Sequence, residues 1–233
     1  MPAHAELAIA AVIPAYQAAA TIGSVVGRVR AVLPGAQIYV IDDGSRDATA
    51  DVARGAGAVV LTHAVNRGKG AALKTGVDEA TGRGADAVVT LDADGQHAPE
   101  AIPALLAPLG QGTADLVLGA RDRTGTMPLQ RRFSNWLSSA VTSRIGGHPV
   151  TDAQSGFRAF RADVARAVRP LETRYDYEAA FLLGALTGGW RVTSVPVSTI
   201  YAGGPSHFGP WSDTVRLARV YARFGIRRIF GAA

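Results

Sequence analysis

Residues 87–100 read AVVTLDADGQHAPE, and this stretch decides the fold. An apolar run from Ala87 to Leu91 ends abruptly in two carboxylates, Asp92 and Asp94, followed by Gly95. A short, continuous apolar run closed by a turn signal suits a strand buried on both faces, as in a parallel sheet. At the end of an extended strand, residues i and i+2 point the same way, so the two carboxylates project together. That pairing is repulsive unless something cationic shares it. A hard divalent cation such as Mg2+ or Mn2+ suits two carboxylates, and the Gln96 amide oxygen is a third candidate donor. Waters and substrate phosphates would complete the coordination. The competing reading is a solvated loop carrying Asp-x-Asp by chance.

The same rhythm extends outward. Strands are expected at residues 7–14, 37–41, 58–61, 85–91 and 115–120, with helices at 21–33, 47–55, about 70–80 and 99–109. Alternating strands and helices predict an α/β fold with a mainly parallel central sheet and helices on both faces. Such sheets bind ligands beyond the carboxyl ends of their strands. Tyr16, Asp43, Asn66, Asp92, Asp94 and Arg121 stand at those ends and are expected to line one crevice. Farther on, helices are expected at 129–145, 177–187 and 211–228. A strand-like stretch covers 191–201, and residues 152–161 form a compact polar segment containing a glycine.

Length and composition fit a single domain without linker or repeat: 233 residues, 48% of them hydrophobic. There is no cysteine, which removes disulfides and thiolate metal sites. The net charge is +5, and 22 of the 24 basic residues are arginine, whose planar fork suits phosphate. That balance is compatible with nucleic acid, an anionic membrane or a phosphorylated substrate. The longest apolar run, residues 7–15, falls short of the ~18–20 residues of a membrane span. Residues 1–6 carry no basic segment of the signal-peptide kind.

Several motifs define chemistry by inclusion or exclusion. Asp42-Asp43-Gly44-Ser45 closes the second strand; Asp43 suits a ribose or nucleobase contact, whereas Asp42 suits a turn. Asn66-Arg67-Gly68-Lys69-Gly70 lacks P-loop spacing, and reads as a tight helix entry or a diphosphate contact by Lys69. No Gly-x-Gly-x-x-Gly follows the first strand, and no G-x-S-x-G is present. Arg121, Arg131 and Arg132 form a second positive group. Residues 152–158, DAQSGFR, read as an acceptor loop or a well-capped turn. The five histidines show no ligand spacing; His97 and His207 are the two of interest.

Taken in order, VIPAYQ, IDDGSRDAT, NRGKGAALKTG, LDADGQH, LGARD, DAQSGFRAFR and IYAGGPSH resemble the family 2 glycosyltransferases of the GT-A fold. Their nearest branch is the dolichol- or polyprenyl-phosphate mannose synthase-like enzymes. The resemblance implies an inverting hexosyltransferase that moves a sugar from a nucleoside-diphosphate sugar to a polyprenyl phosphate, with Mg2+ or Mn2+ as cofactor. By position it places Pro14, Tyr16, Ile41 and Asp43 at the nucleoside, and Asp92, Ala93, Asp94 and Gln96 at the metal and diphosphate. Arg121 falls near the transferred sugar and acceptor phosphate, and residues 131–135, with Arg131, Arg132 and Ser134, fall where the lipid phosphate binds. Gln17-Ala18 stands where the family has Asn-Glu, and Tyr201 and His207 stand where the mannose synthases carry Arg and Lys. Both GDP-mannose and UDP-sugars such as UDP-glucose thus remain as donors.

On this reading residues 7–120 bind the nucleotide-sugar, 121–210 bind the acceptor, and 211–233 form a basic helix. Catalysis falls to Asp94 and Arg121. With a hydroxyl acceptor instead, Asp152 is the candidate base; a nucleotide-sugar-binding protein without activity is the third possibility. A lipid acceptor implies a cytoplasmic protein docked on the inner membrane face, with or without a membrane-protein partner, and no nucleic acid. Arg216, Arg219, Arg223 and Arg227 recur at helical spacing beside Leu217, Val220, Tyr221 and Phe224. That pattern suits either an interfacial helix or a helix covering the protein's own core. The helix at 129–145, with Arg131, Arg132, Phe133 and Trp136, would flank it.

Overall fold

The computed structural model describes residues 7–121, 129–198 and 210–231. Strands β1 (Ile9–Ala15), β2 (Gln37–Asp42), β3 (Val59–Thr62), β4 (Ala87–Thr90) and β5 (Leu116–Arg121) fall where the apolar runs predict them. Helices α1 (Ile22–Val32), α2 (Thr49–Gly55) and α3 (Lys69–Gly82) join the first four. The expected helix at 99–109 divides into a 3-10 turn, Pro99–Ala101, and α4 (Ile102–Gly110). In the second half α5 (Leu129–Gly146) leads through the DAQSGFR segment into β6 (Arg158–Arg161) and α6 (Ala162–Ala167). Then come α7 (Asp176–Thr187), β7 (Val192–Val197) and α8 (Pro210–Phe230).

The seven strands form one sheet in the order β3-β2-β1-β4-β6-β5-β7. β1 pairs in parallel with β2 and β4, β2 with β3, and β5 with β7. β6 runs antiparallel between β4 and β5 and was not separated from the polar segment by sequence. Its four residues, RAFR, are bracketed by arginines, so no apolar run announces it. It is nevertheless a central strand, because the Arg158 guanidinium is spent internally: it donates to the carbonyls of Ser155, Glu178 and Ala153 at 2.8, 2.6 and 3.1 Å. Charge-assisted donation to carbonyls replaces the lost hydration.

Each face of the sheet carries an apolar layer. On one side Leu73 and Val77 of α3 and Phe181 and Leu182 of α7 pack against Val12, Ile41 and Val88. On the other, Val25 and Val29 of α1 and Leu105 and Leu109 of α4 pack against Ile13, Val40 and Val89. A third cluster joins α5, α7 and α8, and it resolves the two readings of the C-terminal helix. Val220 and Phe224 are buried with Leu183 and Ile145, and Leu217 and Tyr221 pack on the same cluster. The Tyr221 hydroxyl lies 2.5 Å from Ser138 Oγ. The apolar stripe expected at an interface is therefore internal; it holds α8 to the body. Arg223, counted with the basic stripe, pairs with Glu172 at 2.7 Å.

The loops after β1, β2 and β4 are sewn together by short polar side chains. Ser45 Oγ accepts the Gln17 N–H (2.9 Å), Thr49 Oγ1 that of Ala18 (2.8 Å) and Asp47 that of Ala19 (3.2 Å). Thr21 Oγ1 donates to the Ala93 carbonyl at 2.6 Å. Gly44 makes the sharp exit from β2: its φ is +75°, and a Cβ there would lie 2.7 Å from the Val65 carbonyl carbon. Gly82, in the last turn of α3, meets nothing within 4 Å. Gly44→Ala should cost roughly 1–2 kcal/mol in backbone conformation, plus the clash. Gly82→Ala should be neutral or stabilise by up to about 1 kcal/mol. Thermal melts of the two variants check this contrast.

Candidate active site

The chain reverses direction across the sheet at β1, which has β2 on one side and β4 on the other. The crevice beyond this switch point is where an open α/β sheet receives its ligand. Pro14 and Ile41 are register partners on β1 and β2 and both are buried, Ile41 within the core layer under α3. Tyr16, just past the end of β1, is 40% exposed, and Gln17 adopts a left-handed φ of 52°.

Asp43 turns sideways rather than outward. Its Oδ1 accepts the Arg67 N–H at 2.9 Å and lies 2.7 Å from His63 Nδ1, while Oδ2 accepts the Gly68 N–H at 2.7 Å. The buried carboxylate thus shapes the turn that starts α3. That turn is compressed against the segment before α7, where a Cβ on Gly68 or Gly70 would lie 2.6 Å from the Thr173 or Arg174 carbonyl oxygen. Asn66 belongs to this turn; Asp42 caps its own loop by accepting the Ser45 N–H at 3.0 Å.

The close packing delivers Lys69 to the strand end. Its ammonium lies 2.7 Å from Asp92 Oδ1 and 3.2 Å from Glu178 Oε2. Lys69 was expected as a turn or diphosphate residue, and its hold on Asp92 and Glu178 was not read from sequence. The signal was available: α7, DYEAAFLLGALT, is apolar after its first turn, and a carboxylate on its buried side needs a cation. Gly156 roofs the three groups; a Cβ there would meet Glu178 Oε1 at 2.8 Å, Lys69 Nζ at 3.0 Å and Asp92 Oδ2 at 3.2 Å. Burial pushes the Asp92 carboxyl up, but Lys69, His97 and Arg121 together bring it down to about 2. His97 accepts the Asp92 N–H on Nδ1 at 3.1 Å and stacks on Phe157, ring centroids 5.2 Å apart. Burial lowers its pKa, against Asp92 and Asp94, which raise it; a neutral imidazole fits both facts.

Asp94 is exposed and accepts the Gln96 N–H at 2.9 Å, while Ala93 is buried and Gln96 half-buried. Among the described residues, no group of three or more His, Asp or Glu forms a closed metal cage. Asp92 and Asp94 nevertheless suit a cation that takes one or two protein carboxylates and draws its other ligands from water and phosphate.

Two strands along from β4, Arg121 ends β5. Its Nε and Nη2 donate to Asp152 Oδ2 and Oδ1 at 2.7 and 3.0 Å, and its backbone N–H reaches Oδ2 at 3.2 Å. Burial would raise the Asp152 pKa, but the bonds and charge of Arg121 leave it lowered. Arg121 also lines an open cavity of about 840 Å3 whose wall includes Trp136, Ala140, Val150 and Val197. Nearby, Ser134 Oγ accepts from Gln154 Nε2 at 3.3 Å, and Arg132 is exposed. The Arg131 side chain, Tyr201 and His207 lie outside the described residues.

The Glycosyl transferase family 2 model matches residues 10–169. The chain is 32% identical over 201 residues to an undecaprenyl-phosphate mannosyltransferase of Micrococcus luteus, covering 81% of this chain and 82% of that one. It is 32% identical over 187 residues to a UDP-N-acetylglucosamine–dolichyl-phosphate N-acetylglucosaminyltransferase of Methanococcus voltae, covering 70% and 74%. Among solved structures, Mycobacterium tuberculosis glucosyl-3-phosphoglycerate synthase superposes with a TM-score of 0.72 at 24% identity, over 95% of this chain and 80% of that one. That likeness establishes the fold.

A carboxyl with a lowered pKa stabilises the fold above its unfolded value of about 3.9, and that contribution is lost as pH falls through the folded value. Asp152→Asn should therefore melt below wild type at pH 7, with the gap closing below about pH 4. The loss at pH 7 should be smaller than the ~3–5 kcal/mol of a fully buried pair, because Arg121 is 24% exposed. The matching family model and these relatives make the conclusion plain: the chain belongs to glycosyl transferase family 2.

Proposed function

We propose that the protein transfers a hexose from a nucleoside-diphosphate sugar to a polyprenyl phosphate, with inversion. The single observation that carries this reading is that Arg121, braced by Asp152, lies near enough to Asp92 for its charge to help lower the Asp92 pKa, so a carboxylate site and a fixed cation are neighbours at the strand ends. The first suits a cation-bound diphosphate and the second an anionic acceptor. The names of the relatives, which act on undecaprenyl and dolichyl phosphates, support the acceptor class.

On the donor side, exposed Tyr16 would meet the nucleoside beside the turn that Asp43 shapes, with Pro14 and Ile41 buried in the strands beneath, and Asp92, Asp94 and Gln96 would hold Mg2+ or Mn2+. Bound there, the ion supplies Lewis-acid stabilisation of the departing diphosphate. Metal-bound solved neighbours with UDP have the same fold. On the acceptor side, a phosphate monoester has its second pKa near 6 and is already ionised at pH 7, so no general base is needed. What it needs is a fixed cation near another anion. Asp152 fits the part of positioning residue: buried, doubly bonded to Arg121 and held ionised, it is poorly placed to take a proton from a hydroxyl. The cavity beside Arg121, with Trp136 and Val150 in its wall, suits the start of an isoprenoid chain.

A lipid acceptor requires the protein to meet a membrane. Among the described residues no helix is long and apolar enough to cross one. The docking face we assign is not the stripe that faces α5 and α7. It is the outer side of α5 and α8: Phe133, Trp136 and Leu137, with Arg132 and Arg144 on α5, and Arg216, Arg219, Arg227 and Ile229 on α8, all exposed. Across both helices the only acid is Asp213, which is buried. Each arginine near an anionic leaflet contributes about 1 kcal/mol.

Arg121→Lys should lose at least about 100-fold in transfer, because an ammonium cannot reproduce the paired fork. Wild-type turnover in that variant would remove Arg121 from the reaction. In liposome flotation, wild type should bind anionic vesicles in a salt-sensitive way. Phe133→Ser with Trp136→Ser should abolish this. Flotation of the double variant equal to wild type would place the membrane contact elsewhere.

A further inference from the structure

Lys69 occupies the carboxylate that a metal ion would use. Its ammonium sits 2.7 Å from Asp92 Oδ1, and Glu178 holds it from the other side at 3.2 Å. The second Asp92 oxygen lies 4.0 Å from His97 Nδ1, a nitrogen already accepting the Asp92 N–H. Asp92 is thus half committed before any ligand arrives. We propose that Lys69 is an internal counter-cation that makes loading of the divalent ion depend on the nucleoside diphosphate, by exchanging Asp92 for a phosphate oxygen when the nucleotide enters. This rests on the metal and donor assignments made above.

The charges set the order of events. With Lys69 in place, the group Asp92, Glu178 and Lys69 carries one net negative charge. A divalent ion approaching Asp92 then meets an ammonium bonded to the same carboxylate, and the two cations repel at short range. A diphosphate reverses that balance: it offers Lys69 an anion and offers the metal more oxygen ligands. Lysine suits the exchange because its ammonium is a point charge with three donors on a flexible stem. Glu178 keeps it tethered, so the positive charge stays in the crevice after Asp92 is released.

One feature of the packing fits an exchange better than a fixed brace. The Lys69 and Asp92 side chains remain 18% and 28% exposed, so the pair is open to ligand, whereas Glu178 is 11% exposed. Gly156 packs against the tips of all three groups, which a Cβ would displace. A purely structural lysine would not need the opening.

The test measures Mn2+ binding by electron paramagnetic resonance, without turnover. Wild type should bind Mn2+ weakly alone and at least about tenfold more tightly with UDP or GDP, and by linkage Mn2+ should tighten nucleotide binding by the same factor. Lys69→Met should bind Mn2+ alone about tenfold more tightly than wild type, with most of the nucleotide dependence gone. Lys69→Gln, which keeps a hydrogen-bond donor, should behave likewise and serves if the Met variant does not fold. Lys69→Arg, which keeps the charge, should retain weak metal binding. Unchanged or weaker Mn2+ affinity in a folded Met or Gln variant overturns the proposal while leaving the metal site standing. No Mn2+ binding by wild type with either nucleotide overturns the metal assignment itself.

Discussion

Everything at the crevice follows from ending a fully buried strand, β4, in a carboxylate. Asp92 cannot sit at the edge of the apolar core uncompensated, and the compensation is Lys69. To deliver Lys69, α3 must begin close to the sheet and against the segment before α7, which is why Gly68 and Gly70 have no room for a side chain. Asp43 and His63 then serve to hold the turn. Glu178 completes the balance from α7, and Gly156 passes over it without a side chain. Four motifs that are far apart in sequence are therefore one electrostatic assembly.

The second assembly is simpler. Arg121 and Asp152 hold each other in a bidentate pair at the end of β5, and β6 carries the DAQSGFR segment back into the middle of the sheet. Within that segment each residue has a separate task. Asp152 fixes Arg121, Phe157 stacks on His97 and Arg158 ties the loop to α7 through carbonyls. Both cations are held by buried or half-buried carboxylates, Arg121 by Asp152 and Lys69 by Asp92 and Glu178.

Much of this was legible in the sequence. Apolar runs followed by Tyr16, Asp43, Asn66, Asp92 and Arg121 placed five parallel strands within about two residues. The Asp-x-Asp pair and Arg121 were recognisable because charge at a buried strand end needs a reason. What escaped has a common cause: partners distant in sequence. β6 lacks an apolar run because it begins with Arg158, whose buried guanidinium donates to carbonyls that include the distant one of Glu178. Asp43 read as a ligand residue, yet its bonds go to residues 67 and 68, and no local pattern reveals that. The stripe on α8 is amphipathic whichever partner covers it, so its sequence could not choose between a bilayer and α5 with α7.

The central claim is that the crevice joins an anionic donor to an anionic acceptor. It is tested most directly by incubating the purified protein with UDP- and GDP-sugars and Mn2+, offering either a short-chain polyprenyl phosphate or the corresponding polyprenol, and analysing the lipid products by mass spectrometry. The account predicts a glycosyl phosphate from the polyprenyl phosphate and no product from the alcohol. Transfer to the alcohol, or to neither lipid with any of the donors, would contradict it.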